Sequence, residues 1–232
     1  AEVGDILAVD LIDIELHDYG WQAIVGGFGF LTDRFPEPKL NIHEIDTINK
    51  TTLFNGKITI PLKPFPGVMG VAPDTEEMLS TIPPRANGGN MDDPSIVEGT
   101  TVYFPVFVKG ALFSIGDAHA VQGFGEVCGT AIETPMTFVY RLRVLKNKPA
   151  IQEPQYETDD FYAVTGFGKT IDIATKKAVN FMVDHLSENY DISAEDAYML
   201  CSLVGDLKIA EVVDVPNMLV TMHFPKSILD QL

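Results

Sequence analysis

The chain has 232 residues, 46% hydrophobic and 21% charged, enough for a real core in one large or two modest domains. A net charge of −17 argues against nucleic-acid binding and attachment to anionic lipid, which both rest on basic patches. The two cysteines, Cys128 and Cys201, form no CxxC pair and exclude a disulfide framework, which fits a reducing cytoplasm.

No apolar run is long enough to span a membrane, and the opening AEVGDILAVD lacks the basic start of a signal peptide. With no initiator Met, the chain is expected to begin after the first residues of the gene product. Its 19 glycines and 15 prolines favour many short strands over long helices.

Ile6 to Leu16 alternates apolar with acidic residues and predicts a strand, with a slip near Leu11–Ile12 that reads as a bulge. Gly20 to Leu31 is glycine- and aromatic-rich and reads as a turn or loop under the core. Lys57 to Leu62 predicts a strand, and three prolines then lead into an edge segment at Val68–Val71. Ser80 to Asp93, STIPPRANGGNMDD, is a polar loop stiffened by Pro83–Pro84 and loosened by Gly88–Gly89. Thr100–Val108, Glu126–Glu133 and Met136–Leu145 predict three further strands.

Asn147 to Thr158 is polar, carries two prolines and reads as a boundary between a β-rich part, 1–146, and an α+β part, 159–232. Beyond it, Phe161–Gly166 predicts a strand and Ile171–His185 an amphipathic helix. A second helix is capped by Ser193 and ended by Gly205, and strands follow at Ile209–Val213 and Met218–His223. The fold class expected is α+β, mainly β, with a barrel- or sandwich-like main part.

Gly110 to Glu133, GALFSIGDAHAVQGFGEVCGTAIE, crowds polar residues among glycines. Asp117 and His119 share a face if the segment is extended, and imidazole beside carboxylate suits zinc, while carboxylates also hold calcium or manganese. Glu133 is the natural third ligand. In a regular strand Glu126 and Glu133 fall on opposite faces, so both enter one pocket only if a bulge, as at Gly129, shifts the register. Cys128 has apolar neighbours and reads as a buried, inert thiol rather than a nucleophile. Of the other histidines, His17 reads as surface, His185 as core, and His43 and His223 have no partner at ligand spacing.

The blocks GVMGVAPD, STIPPRANGGNMD and GTTVYFPVFVKGALFSIGDAHAVQGFGEVCGTAIE resemble the acetamidase/formamidase family, with looser likeness over ETDDFYAV and SAEDAYMLCSLVGDLKIAEVVD. The resemblance implies an enzyme that hydrolyses formamide or acetamide to carboxylate and ammonia, commonly as a homodimer. Carried onto this chain, it marks Asn90, Asp92, Asp117, His119, Gln122, Glu126 and Glu133. The expected roles are a divalent ion, zinc first, on Asp117, His119 and Glu133; Glu126, Asn90 and Asp92 as catalytic groups; and Gln122 with Asn90 at the substrate. The family usually carries an acidic residue where Phe124 stands, and usually extends upstream of GDILAVDLIDIE. Those two departures keep a non-catalytic binding or structural subunit open as the alternative.

Overall fold

The computed structural model describes residues 1–232. Its elements in order are β1 (Ile6–Leu16), β2 (Tyr19–Ile24), β3 (Lys39–Asp46), β4 (Thr51–Phe54), β5 (Ile58–Pro61), β6 (Phe65–Gly70) and β7 (Gly88–Asn90). There follow β8 (Thr101–Pro105), β9 (Ser114–His119), β10 (Met136–Leu145), β11 (Gln155–Glu157), β12 (Phe161–Gly168), α1 (Ile171–Asn189), α2 (Ala194–Val204), β13 (Asp206–Glu211), β14 (Met218–Pro225) and α3 (Lys226–Leu229). The class is α+β, mainly β, and none of the three sheets closes into a barrel.

The largest sheet has seven strands in the order β10-β1-β8-β11-β12-β14-β13. The slip in the β1 alternation is real: the β1–β10 register shifts between Leu11 and Asp13, so Leu11 and Ile14 both stay buried although they lie an odd number of positions, three, apart. Strand β11 pairs with β8 on one side and β12 on the other, so this sheet continues across residues 147–158.

The period of two sorts the side chains of the sheet. On one face Val9, Val102, Phe104, Tyr156, Ala163 and Phe167 join Met69 and Met91 in the larger core. On the other face Val164, Val220, Met222 and Phe224 meet the helices. Helix α1 presents Ala174, Ala178, Met182 and Leu186 at intervals of four, and α2 adds Ala197 and Cys201. Ser193 caps α2 by accepting the Asp196 N–H at 3.1 Å, and Gly205 ends it.

Two smaller antiparallel sheets, β2-β3-β4-β5 and β7-β6-β9, cover the remaining core. Residues 20–24, expected in a loop, extend the strand β2 instead, because β3 supplies a six-residue antiparallel partner. The strand expected at Glu126–Glu133 does not form. Gly125 and Gly129 hold positive φ angles of 96° and 88°, and the segment turns on itself through a Gly129 N–H to Glu126 carbonyl bond of 2.7 Å.

Candidate active site

Glu133 stitches the two smaller sheets together. It exchanges backbone hydrogen bonds of 2.8 Å in both directions with Trp21 on β2, and it bridges His119 at the end of β9. On the far side of β9 lies β6, whose Phe65 ring meets His119 edge-on at 5.1 Å. The buried His119 ring is thus set by backbone pairing and packing before any polar contact is counted.

Its protonation pattern follows from Gln122. The Gln122 Nε2 donates to the Asp92 backbone carbonyl at 2.7 Å, and because a carbonyl only accepts, the amide's orientation is fixed. Its Oε1 then faces His119 Nδ1 at 2.9 Å and takes that nitrogen's hydrogen. The other ring nitrogen, Nε2, faces Glu133 Oε2 at 3.1 Å and Asp117 Oδ2 at 3.5 Å.

Three more carboxylates close the cluster. Asp92 follows β7 and is buried, and its Oδ1 has no hydrogen-bond partner; the nearest cationic atom, His119 Nδ1, is 3.6 Å away. Glu126 stands on the turn that the Gly125 N–H pins to the Ala210 carbonyl of β13 at 2.8 Å. Asp214 follows β13, accepts from Asn90 Nδ2 at 2.6 Å, and has its own N–H held at 2.9 Å by the fully buried Glu211. Asp92, Asp117 and Glu126 have φ angles of 43°, 49° and 45°, a left-handed conformation uncommon outside glycine and one that clusters at functional sites.

The electrostatics reflect this crowding. Burial, with the charge of Glu126, pushes the Asp92 carboxyl well up. Burial lifts Glu126 to about 8, helped by Asp214, Glu133 and Asp117 and opposed by His119. Burial likewise lifts Asp214 to about 6 and Glu211 to about 8. Burial opposes charge on His119, but its bonds to Asp117 and Glu133 and the charge of Asp92 prevail and raise it well above the usual range. Asp117 goes the other way, lowered first by its bond to His119.

The cleft, about 220 Å³, is lined by Asn90 and by six ionisable groups: Asp92, Asp117, His119, Glu126, Glu133 and Asp214. Three sets of ligand atoms lie within 4.8 Å of one another: Asp92–Asp117–His119, His119–Glu126–Glu133 and Asp92–Glu126–Asp214. A divalent cation fits here. The buried Asp92 Oδ1 accepts no hydrogen bond, and the donor set of one imidazole with several carboxylates is that of zinc, calcium and manganese sites.

A sequence model of the acetamidase/formamidase family matches residues 1–80 and 75–231. The chain belongs to the acetamidase/formamidase family. A formamidase of Methylophilus methylotrophus is 26% identical over a 305-residue alignment that spans 99% of this chain and 74% of that protein. The crystal structure of an acetamidase from Bacillus halodurans superposes with a TM-score of 0.94 at 30% identity, covering 100% of this chain and 77% of that one. A predicted acetamidase/formamidase from Thermoanaerobacter tengcongensis gives 0.93 at 34% identity, covering 100% and 75%. The enzymes for which this family is named cleave the C–N bond of small amides.

Against that family frame, the structure gathers Asn90, Asp92, Asp117, His119, Glu126 and Glu133 around one cleft. The three expected ligands are divided between two of the ligand sets, both containing His119. Glu126 and Glu133 both reach the cleft because their segment is a turn rather than a strand. Gln122, expected at the substrate, is not among the cleft-lining groups; both ends of its amide are engaged by His119 and Asp92. Cys128 is half-buried rather than buried, with Gln22 Nε2 at 3.7 Å and a contact to the Thr130 carbonyl at 3.4 Å, and does not line this cleft.

Phe124 also lies outside the cleft. It is 46% exposed, and the Lys208 ammonium sits 5.2 Å from its ring centre. The position where the resemblance implies an acidic residue thus stands beside Lys208 and does not line the cleft. Two residues of this network escaped the sequence reading, Asp214 and Glu211. Their signal was the EVVDV run at the end of β13, acidic residues in an apolar segment, where a solvated carboxylate does not belong.

Proposed function

We propose that this chain hydrolyses a short uncharged amide, of the formamide and acetamide class, to the carboxylate and ammonia with the help of one divalent cation. Family membership supplies the reaction class. The observation that carries the metal reading is His119: its Nδ1–H is committed to Gln122 while its Nε2 is turned toward Asp117 and Glu133. That is the arrangement in which a second partner holds the tautomer of a metal-binding imidazole.

Asp117, His119 and Glu133 hold the ion in this reading, with Asp92 as a further carboxylate; zinc is the first choice, calcium and manganese the next. A bound cation supplies Lewis acidity toward the amide carbonyl and acidifies a coordinated water. The chain's own residues do the rest. Glu126, held near neutrality at about 8, is matched to take a proton from the attacking water and return it to the departing ammonia. Asn90 spends one of its two amide hydrogens on Asp214 and keeps the other for the developing oxyanion. Asp214 orients Asn90, and Glu211 fixes Asp214 through two backbone N–H bonds of 3.0 and 2.9 Å. The free thiols of Cys128 and Cys201 support a reducing compartment, and no helix is long and apolar enough to cross a membrane.

The test is ammonia release from formamide and acetamide before and after chelation, with elemental analysis of the same sample. Activity is expected to vanish with the metal and return on readdition. His119→Ala is expected to lose at least a hundredfold in kcat/KM. Full activity in the metal-stripped protein, or in the variant, would overturn the metal-assisted mechanism.

A further inference from the structure

The rim of the cleft is not polar. Three apolar side chains from three separate segments, Trp21 of β2, Phe28 of the following loop and Ile82 of the proline-stiffened loop, line it beside the carboxylates. Trp21 and Ile82 are 39% and 48% exposed, and Phe28 is half-buried. Each is held in place. Trp21 is tied by its backbone to Glu133 on both sides at 2.8 Å. The Phe28 ring lies against Gly129 so closely that a Cβ there would come within 2.5 Å of it. The loop bearing Ile82 is clipped by Arg85, whose Nη1 donates to the carbonyls of Ser80 and Pro83 at 2.8 and 2.9 Å.

Formamide has three heavy atoms and acetamide four, whereas the cleft encloses about 220 Å³, many times the ~30 Å³ that a water occupies in the liquid. Trp21, Phe28 and Ile82 line that space together with the carboxylates. Five carboxylates line the cleft and no Lys or Arg does, so a substituent carrying negative charge is repelled. Apolar walls at fixed positions recognise methylenes, and pockets of this kind sort substrates by the length of the apolar part.

We propose that Trp21, Phe28 and Ile82 form a specificity pocket for an uncharged apolar substituent of the amide, so that the preferred substrates carry a short alkyl chain longer than that of acetamide. This rests on the amidase reading above. Each methylene buried against the rim raises kcat/KM about fourfold, so butyramide is used roughly fifteenfold better than acetamide.

The experiment compares kcat/KM for formamide, acetamide and butyramide in the metal-loaded protein and in Ile82→Ala. The Ile82 side chain is exposed on a loop, so its truncation spares the core. In parallel, Trp21, the only tryptophan of the chain, reports binding of the same amides through its fluorescence. The expected result is the rising series in the native protein, a butyramide-to-acetamide ratio falling toward one in Ile82→Ala, and saturation of the Trp21 signal at lower butyramide than formamide. Turnover of formamide with no gain for butyramide overturns the pocket and leaves the amidase reading intact. A chain-length-dependent Trp21 signal without any ammonia release supports the pocket and overturns the amidase reading. Neither turnover nor saturation overturns both.

Discussion

Gly67 sits on β6 directly under the cluster, and a methyl group there has nowhere to go. A Cβ built on Gly67 meets Asp92 Oδ1 at 2.5 Å, His119 Cε1 at 2.8 Å and the Asp117 carbonyl at 2.9 Å. Contacts become ordinary only from 3.4 Å, so the Asp92 carboxylate alone must retreat by about 0.9 Å. None of these atoms is the free end of a long side chain. Asp92 and His119 are 1% exposed, and the Asp117 carbonyl belongs to the neighbouring strand. Gly67→Ala is therefore an overpacking mutation aimed at the site: about 1–3 kcal/mol of stability lost, and a displacement near 1 Å that costs roughly a hundredfold in kcat/KM. The melting temperature should fall by roughly 2–12 °C, at about 2–4 °C per kcal/mol for a chain of this size.

The companion variant is Gly116→Ala on the adjacent strand, where an added Cβ meets nothing within 4 Å. It should melt within a few degrees of the native protein and keep its activity, because the same chemical change falls on open space. Both variants are assayed by ammonia release and thermal melting. If Gly67→Ala keeps kcat/KM within twofold of native, the cluster is not held as tightly as its distances imply, and the reasoning fails.

Two further outcomes follow from groups outside the cleft. His223 is 3% exposed, and burial, reinforced by the charges of Lys208 and Lys63, lowers its pKa from 6.5 to about 3. The unfolded chain therefore binds one proton more between those values, and stability falls as pH drops below about 6.5, by about 2 kcal/mol between pH 7 and 5. Urea midpoints for His223→Asn should show an acid slope shallower by that amount, and an unchanged slope would refute the assignment. For Phe124, restoring the acidic residue as Phe124→Asp exchanges an exposed cation–π contact for an ion pair with Lys208. Its kcat/KM should stay within about twofold of native; a change of tenfold or more would place position 124 in the reaction.

What the sequence determined by itself was whatever depends on local pattern. The two-residue period of β1, with its slip at Leu11, the alternation of β10, the four-residue spacing of α1, and the Ser193 cap are all readable from neighbours along the chain. The family blocks likewise carried most of the polar residues that line the cleft. The short pairing partners β7 and β11, three residues each, carry too little pattern to be seen and exist because β6, β8 and β12 offer them a ladder.

The tertiary structure decided the geometry of the site. Strand periodicity set Glu126 and Glu133 on opposite faces, and only the positive φ angles at Gly125, Glu126 and Gly129 bring them together. Asp214 joins Asn90 across 124 positions of sequence, and Gln122 reaches the Asp92 carbonyl across 30. No local period encodes such contacts. They arise because the turn at Glu126 docks on the end of β13, and because β9 and Glu133 pair across two sheets. A crowd of carboxylates around one imidazole is a property of that docking: each residue alone is an ordinary acid, and only their burial together raises the carboxyls of Asp92, Glu126 and Asp214 while the bond to His119 lowers that of Asp117.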